Sequence, residues 1–149
     1  MWRDEDDTER FARSLAAQPA VAHAFITLQG DLGAGKTTFV RHLLRALGVA
    51  GRIKSPTYAV VEPHQGSEGQ PIFHFDFYRF SDPREWEDAG FRDIFAGPGL
   101  KLAEWPEHAR GQLPLPDLTI NIDAMSDDTR TVTLHAYTEA GTRLLHGAA

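Results

Sequence analysis

Residues 30–37 read Gly-Asp-Leu-Gly-Ala-Gly-Lys-Thr, and no other stretch restricts the possible folds so strongly. Three glycines fall within six positions. Before them lies a mostly apolar run of strand length, residues 22–29. After them Phe39, Val40, Leu43, Leu44 and Leu47 recur at helical spacing, and Gly48 stands where a helix C-terminal glycine belongs. The chain must therefore pass from a strand through a tight loop into a helix. The octapeptide matches G-x-x-x-x-G-K-[ST] without a gap.

Each residue type in that pattern has a chemical reason. Backbone N–H groups must converge on phosphate oxygens, and a Cβ in the wrong place, at Gly33 or Gly35, would block the approach. The helix that starts near Lys36 points its positive end at the same anion. Lys36 then reaches the β and γ phosphates, and the Thr37 hydroxyl is a hard oxygen ligand for Mg²⁺. Asp31, Ala34 and Thr38 complete the candidate nucleotide-binding set. A glycine-rich loop that binds nothing is the alternative, and the flanking strand and helix argue against it. A guanine-binding N-K-x-D segment is absent from the sequence, which favours ATP over GTP.

Length and charge bound the rest. A chain of 149 residues fits one domain, residues 1–149, around one core. Hydrophobic residues are 42% and charged residues 24%, as in ordinary globular proteins. No apolar run approaches the roughly 20 residues of a membrane span, and the acidic start lacks a secretory core. No membrane partner and a cytoplasmic location are expected. The absence of cysteine removes disulfides, thiolate metal sites and a cysteine nucleophile. A net charge of −6 argues against a chain that grips a nucleic acid backbone unaided, although Arg41, Arg45, Arg52 and Lys54 lie close in sequence.

The remaining segments predict a mixed sheet. Residues 7–17 form an amphipathic helix, with Asp6 and Glu9 spaced as a capping box. Residues 57–64 and 71–78 suggest an antiparallel hairpin, and Asp82-Pro83 with Glu85 and Gly90 marks a short helix. Residues 100–105 read as a buried strand, and Pro106 opens a brief helix ending near Gly111. Residues 118–123 and 131–137 alternate as strands around a polar turn. The early strand–loop–helix asks for parallel pairing and the later hairpins for antiparallel pairing. An α/β domain with a mixed parallel and antiparallel sheet and helices on both faces satisfies both.

Two acids are candidates beside the loop. In residues 71–79 (PIFHFDFYR), Phe73, Phe75 and Phe77 share one face of a strand, and His74, Asp76 and Tyr78 the other. Asp76 could hold Mg²⁺ or position a water. Alternatively it only ends the strand, and His74 is a satisfied core histidine. Glu104 should sit at the C-terminal end of its strand, the edge where open α/β sheets bind ligands, unless it is a surface acid. Ser55-Pro56-Thr57-Tyr58 is either a plain turn or a switch segment that senses the γ-phosphate. Trp105 is either core or a partner contact. The seven histidines show no metal-ligand spacing, and no nucleophile motif appears.

Four stretches together resemble the TsaE family, also called YjeE: GDLGAGKTTFVRHLL (30–44), SPTY (55–58), HFDFYR (74–79) and AEWPEH (103–108). Thr8 resembles a further family position. The match runs nearly the whole chain, and the combination is far more specific than the phosphate loop alone. The resemblance implies a small P-loop NTPase domain that acts in making N6-threonylcarbamoyladenosine beside the tRNA anticodon. It implies TsaB and TsaD as partners, tRNA reached indirectly through their complex, and ATP with Mg²⁺ as cofactors. Lys36 and Thr37 would hold phosphate and metal, and Glu104 would complete the metal site. Asp76 would assist hydrolysis, and Thr8 would lie near the base or ribose. Lys101 departs from an expected apolar strand, and residues 90–99 carry little helix signal.

The expected enzyme is a Mg-dependent ATPase, slow alone and activated by its partners, because no arginine finger is evident. Arg92, Arg110, Arg130 and Arg143 read as isolated. A small-molecule or nucleotide kinase of the P-loop class is the rival, but such kinases need an arginine-rich lid. A nucleotide-gated binding module with negligible turnover is the third reading. The docking surface is expected to include residues 55–58, with Arg41, Arg45, Arg52 and Lys54 as a basic rim.

Overall fold

The strand, loop and helix that the octapeptide demands are β1 (Phe25–Gln29), the glycine loop and α2 (Lys36–Ala46) in the computed structural model, which describes residues 1–31, 33–51, 53, 60–80, 90–109 and 111–148. Ahead of β1 come α1 (Glu5–Ala16) and a 3-10 turn (Pro19–His23). After α2 follow β2 (Val61–Gln65), β3 (Pro71–Asp76), α3 (Phe91–Ala96), β4 (Leu100–Glu104), a 3-10 turn (Pro106–Ala109), β5 (Leu118–Ala124), β6 (Arg130–Ala136) and α4 (Glu139–Ala148). The strands form one six-stranded sheet in the order β2-β3-β4-β1-β5-β6. The four inner strands are parallel, while β2 and β6 close the edges antiparallel.

Alternation along the strands sorts the core into two layers. Ile26, Leu28, Ile72, Leu100, Leu102, Leu118, Ile120 and Ile122 face one side. There α1, α2 and α4 cover them with Leu15, Phe39, Leu43, Leu44 and Leu144, all buried. Each such side chain contributes about 1.5–3 kcal/mol on burial. The other side is aromatic: Phe25, Phe75, Phe77, Phe80 and Phe91 pack with Ala103 and Ala109 beneath α3 and the Pro106–Ala109 turn. The mixed sheet with helices on both faces is therefore as the sequence predicts.

Several boundaries differ from the sequence expectation. The first helix starts at Glu5, not at residue 7, and its cap is Asp4, whose Oδ1 accepts from Asp7 N at 3.0 Å. A run of acids offers more than one side chain able to cap, and tertiary contacts choose among them. Trp2 packs at a tilt against Phe11 and stacks on Phe39, at 5.5 and 5.8 Å between ring centroids, and pairs with Arg130 in both backbone directions, which fixes the entry to α1. The apolar run at 22–29 divides, its first residues joining a turn opened by Pro19. Residues 91–96 do form a short helix, and α4 has no counterpart in the expected elements. The helix expected after Asp82 lies outside the described residues, as do Ser55, Thr57 and Tyr58. Lys101 is buried, its Nζ donating to Gly97 O at 2.5 Å, and burial holds its pKa below that of a free lysine. That hydrogen bond reconciles a charged residue with a covered strand.

Asp117 ties the start of β1 to the start of α4. Its Oδ2 accepts from Phe25 N at 2.7 Å, and its Oδ1 accepts from the Thr138 hydroxyl at 2.7 Å. The same hydroxyl accepts from Gly141 N at 3.1 Å. A Cβ at Gly141 would lie 1.7 Å from the Asp117 carbonyl oxygen, so the glycine is needed for close approach rather than for helix formation. Gly141→Ala is expected to destabilise the fold by about 1–3 kcal/mol through overpacking, despite a helix-propensity gain of about 1 kcal/mol. Urea unfolding that shows equal or greater stability would refute this contact.

Candidate functional site

β1, β3 and β4 run parallel and end together, so three loops meet at one edge of the sheet. The glycine loop leaves β1 there. Gly30 turns with φ 147°, and a Cβ on it would strike Ile122 O at 2.3 Å. Gly33 and Gly35 also have positive φ, and Gly35 caps α2. Asp31 is exposed, and its carbonyl accepts from Ala34 N at 3.0 Å to tighten the loop.

β4 delivers Glu104, directly in register with Leu28 of β1 on one side and Asp76 of β3 on the other. Only 2% of Glu104 is exposed. Its Oε1 accepts from the Thr37 hydroxyl at 2.9 Å, and its Oε2 accepts from His74 Nε2 at 2.6 Å. Thr37 belongs to the first turn of α2, so the loop's own helix is bound to the neighbouring strand through this carboxylate. Asp76 is half-buried, and its Oδ1 accepts from Tyr78 N at 3.0 Å. Burial raises the Asp76 pKa above the ordinary carboxylate value, against the hydrogen bond from Tyr78 N, with Glu104 adding to the rise and His74 and Lys36 also opposing it.

Lys36 is buried, and its ammonium lies 3.5 Å from the centroid of the Trp105 ring. Its Nζ donates to Gly30 O at 2.5 Å. Burial lowers its pKa, against the attraction of Glu104, Glu107, Asp76 and Asp31. Trp105 adopts φ 56°, a left-handed conformation rare for a bulky residue, and stacks near Tyr78 and His108.

Two adjoining cavities flank Gly35 and Thr38. One of about 270 Å³ is lined by Gly33, Lys36, Thr37, Asp76, Glu104 and Trp105, among others. The second, of about 210 Å³, is lined by Trp2, Asp4, Glu5, Thr8, Ala34 and Asp128. Gly35, Thr38 and Arg130 border both. The first has the cations and oxygens suited to phosphate, and the second continues from it with a ring and a hydroxyl. The donor set at Thr37 and Glu104 consists of hard oxygens. Among the described residues no cluster of three or more His, Asp or Glu could enclose a metal. A hydroxyl and a carboxylate that leave other positions to phosphate and water fit the habit of Mg²⁺.

Arg130 is the residue that sequence reasoning missed. It reads as isolated along the chain, yet its Nε donates to Ala34 O at 2.9 Å. It begins β6, which pairs antiparallel with β5, and β5 is parallel to β1. The hairpin therefore returns Arg130 to the same edge that β1 ends on. The alternating strands around residues 125–129 held that signal, through topology rather than motif. Trp2 is the second omission, and only tertiary packing brings it to Thr8 and the loop.

Comparison with known proteins agrees with this geometry. The family model described as "Threonylcarbamoyl adenosine biosynthesis protein TsaE" matches residues 2–132. A "tRNA threonylcarbamoyladenosine biosynthesis protein TsaE" of Haemophilus influenzae is 41% identical over 146 residues, covering 95% of this chain and 91% of its own length. The protein of the same description from Bacillus subtilis is 37% identical over 144 residues, covering 95% and 87%. A crystal structure of Bacillus subtilis YdiB superposes with a TM-score of 0.78 at 31% identity, over 97% of this chain and 88% of that one.

The raised Asp76 pKa has a stability consequence. The folded state holds that proton more tightly than the unfolded chain, so stability falls as pH rises between the ordinary carboxylate value and the raised one. Asp76→Asn keeps an oxygen for Tyr78 N but removes the charge. It is expected to raise the melting temperature by a few degrees at pH 7. The gain should shrink as pH falls through the raised value toward the ordinary one. A variant less stable than wild type at pH 7 would show that Asp76 supports the fold rather than straining it.

Proposed function

The chain belongs to the TsaE family of threonylcarbamoyl adenosine biosynthesis proteins, and from that premise we propose that it is the Mg-dependent ATPase of that pathway, acting with TsaB and TsaD. Its place is in tRNA threonylcarbamoyladenosine biosynthesis. The observation that carries the ATPase proposal is the convergence of Lys36, Thr37, Asp76 and Glu104 on one cavity beside the glycine loop.

The phosphates of ATP take the glycine loop, where the N-terminus of α2 supplies N–H donors and positive potential. Lys36 leaves the Trp105 ring and Gly30 O for the β and γ phosphates, exchanging one oxygen partner for charged ones. Thr37 and Glu104 would hold Mg²⁺, which would supply positive charge to offset that of the phosphate oxygens. Asp76 keeps one carboxylate oxygen on Tyr78 N and offers the other to the attacking water. Arg130 sets a guanidinium at the rim shared by the two cavities, and Thr8 lines the one suited to the nucleoside. Hydrolysis needs water and a stabilised γ-phosphate, and the chain supplies both roles from the ends of three strands and from the start of β6.

The proposal places the protein in the cytoplasm with tRNA contacted through the complex. Among the described residues no helix is long and apolar enough to cross a membrane. Turnover is slow in isolation and rises when TsaB and TsaD dock.

Calorimetry is expected to show binding of Mg·ATP and Mg·ADP. Lys36→Ala should weaken both by roughly 10- to 100-fold, the equivalent of losing a hydrogen bond to a charged group at about 1.5–3 kcal/mol. Unchanged affinity would end the phosphate-loop assignment. Steady-state ATPase measured while TsaB–TsaD is titrated in should climb to a plateau, and a flat response at saturation would reject partner activation.

A further inference from the structure

We propose that His74 is a positioning residue of the metal site: its imidazole holds the Glu104 carboxylate at the angle that keeps the other oxygen on Thr37. The proposal rests on the Mg²⁺ role given above to Thr37 and Glu104.

The geometry is a chain of three side chains from three elements. The Thr37 hydroxyl donates to Glu104 Oε1 at 2.9 Å, and His74 Nε2 donates to Glu104 Oε2 at 2.6 Å. A carboxylate only accepts, so the hydrogen between the last pair belongs to Nε2. Both ends of the carboxylate are engaged, which fixes its rotation. When the Thr37 oxygen serves a cation, the imidazole remains as the hold on Glu104 that does not touch the ligand.

His74 has no comparable reason of its own to be there. It is 1% exposed, and its Nδ1 is buried with no hydrogen-bond partner among the described residues. A leucine or phenylalanine would fill such a place beside Ile72 and Leu102 without stranding a polar atom. Among the described residues the imidazole therefore makes one hydrogen bond with its polar atoms, and that bond ends on Glu104. The strand pattern explains the reach. His74 and Asp76 share a face of β3, Asp76 is in register with Glu104, and His74 is in register with Leu102 two residues before it. The histidine thus meets Glu104 on the diagonal, while Asp76 stays beside it facing the cavity.

Partners that orient a metal-site carboxylate typically affect metal affinity by about 10- to 100-fold. The test measures the affinity of the full-length chain for ADP by calorimetry, in EDTA and across a Mg²⁺ series, for wild type and three variants. His74→Phe should leave the EDTA affinity near wild type and lose roughly 10- to 100-fold of the Mg²⁺-dependent gain. His74→Gln, whose amide nitrogen occupies the Nε2 position, should recover most of that gain. His74→Asn is too short to reach and should not. Equal Mg²⁺ dependence in wild type and His74→Phe would overturn the proposal. So would a fall of the same size in EDTA, which marks a purely structural role. If His74→Phe does not fold, the comparison of Gln with Asn decides: equal Mg²⁺ dependence in those two variants overturns it. A wild type whose ADP affinity ignores Mg²⁺ is a separate outcome. It would refute the metal role of Thr37 and Glu104 itself, before any variant is compared.

Discussion

A carboxylate buried as deeply as Glu104 must find hydrogen-bond donors in place of water. It finds one on each side, from Thr37 and from His74. Those donors lie on α2 and β3, so Glu104 has to stand between the loop that follows β1 and the strand β3. The sheet order β3-β4-β1 meets that demand. The apolar faces explain why the order holds. Leu100 and Leu102 on one side and Ala103 on the other let β4 be covered by helices above and aromatic rings below. Every residue of β4 is buried, charged ones included, and each charged residue is matched to a partner.

The same edge keeps a lysine in an unusual place. Lys36 has left solvent for the face of an indole, where an ammonium keeps part of its lost hydration through the ring's electron density. The indole is presented by a backbone in left-handed geometry at Trp105, the residue where β4 ends and the Pro106 turn begins. Such conformations cost of order 1–3 kcal/mol and survive where surrounding contacts enforce them. Tyr78 and His108 supply those contacts, and the His108 Nδ1 is anchored on the carbonyl oxygens of Phe77 and Tyr78. The strain therefore sits beside the cation that a phosphate would draw away.

Local chemistry made some of this legible in the sequence. The glycine loop is legible because Gly30, Lys36 and Thr37 have few other reasons to occur at that spacing. Glu104 and Asp76 are legible because each stands at the end of a short, mostly apolar strand. The pairing of those two acids is not, because register between β3 and β4 is set by packing across about 25 residues of intervening chain that the pattern does not constrain. Arg130 escapes for a similar reason: its meaning depends on which edge the β5–β6 hairpin returns to. The start of α1 escapes because several neighbouring acids can cap, and Trp2 makes the choice through rings 9 and 37 residues away. α4 escapes because its two glycines, one held under the Asp117 carbonyl, weaken the helical pattern.

The central position of β1 sets a clock on synthesis. This strand emerges early, yet its neighbours in the sheet are β4 and β5, with Leu28 beside Glu104 and Ile26 beside Leu118. Pairings so distant in sequence carry a large loop-closure cost and form late. A ribosome that has released only the glycine loop and α2 has released the recognisable motif without its acid, its histidine or its arginine. The nascent chain can thus display the phosphate signature long before it can use it, and competence arrives in one step when the last third of the chain closes both flanks of β1.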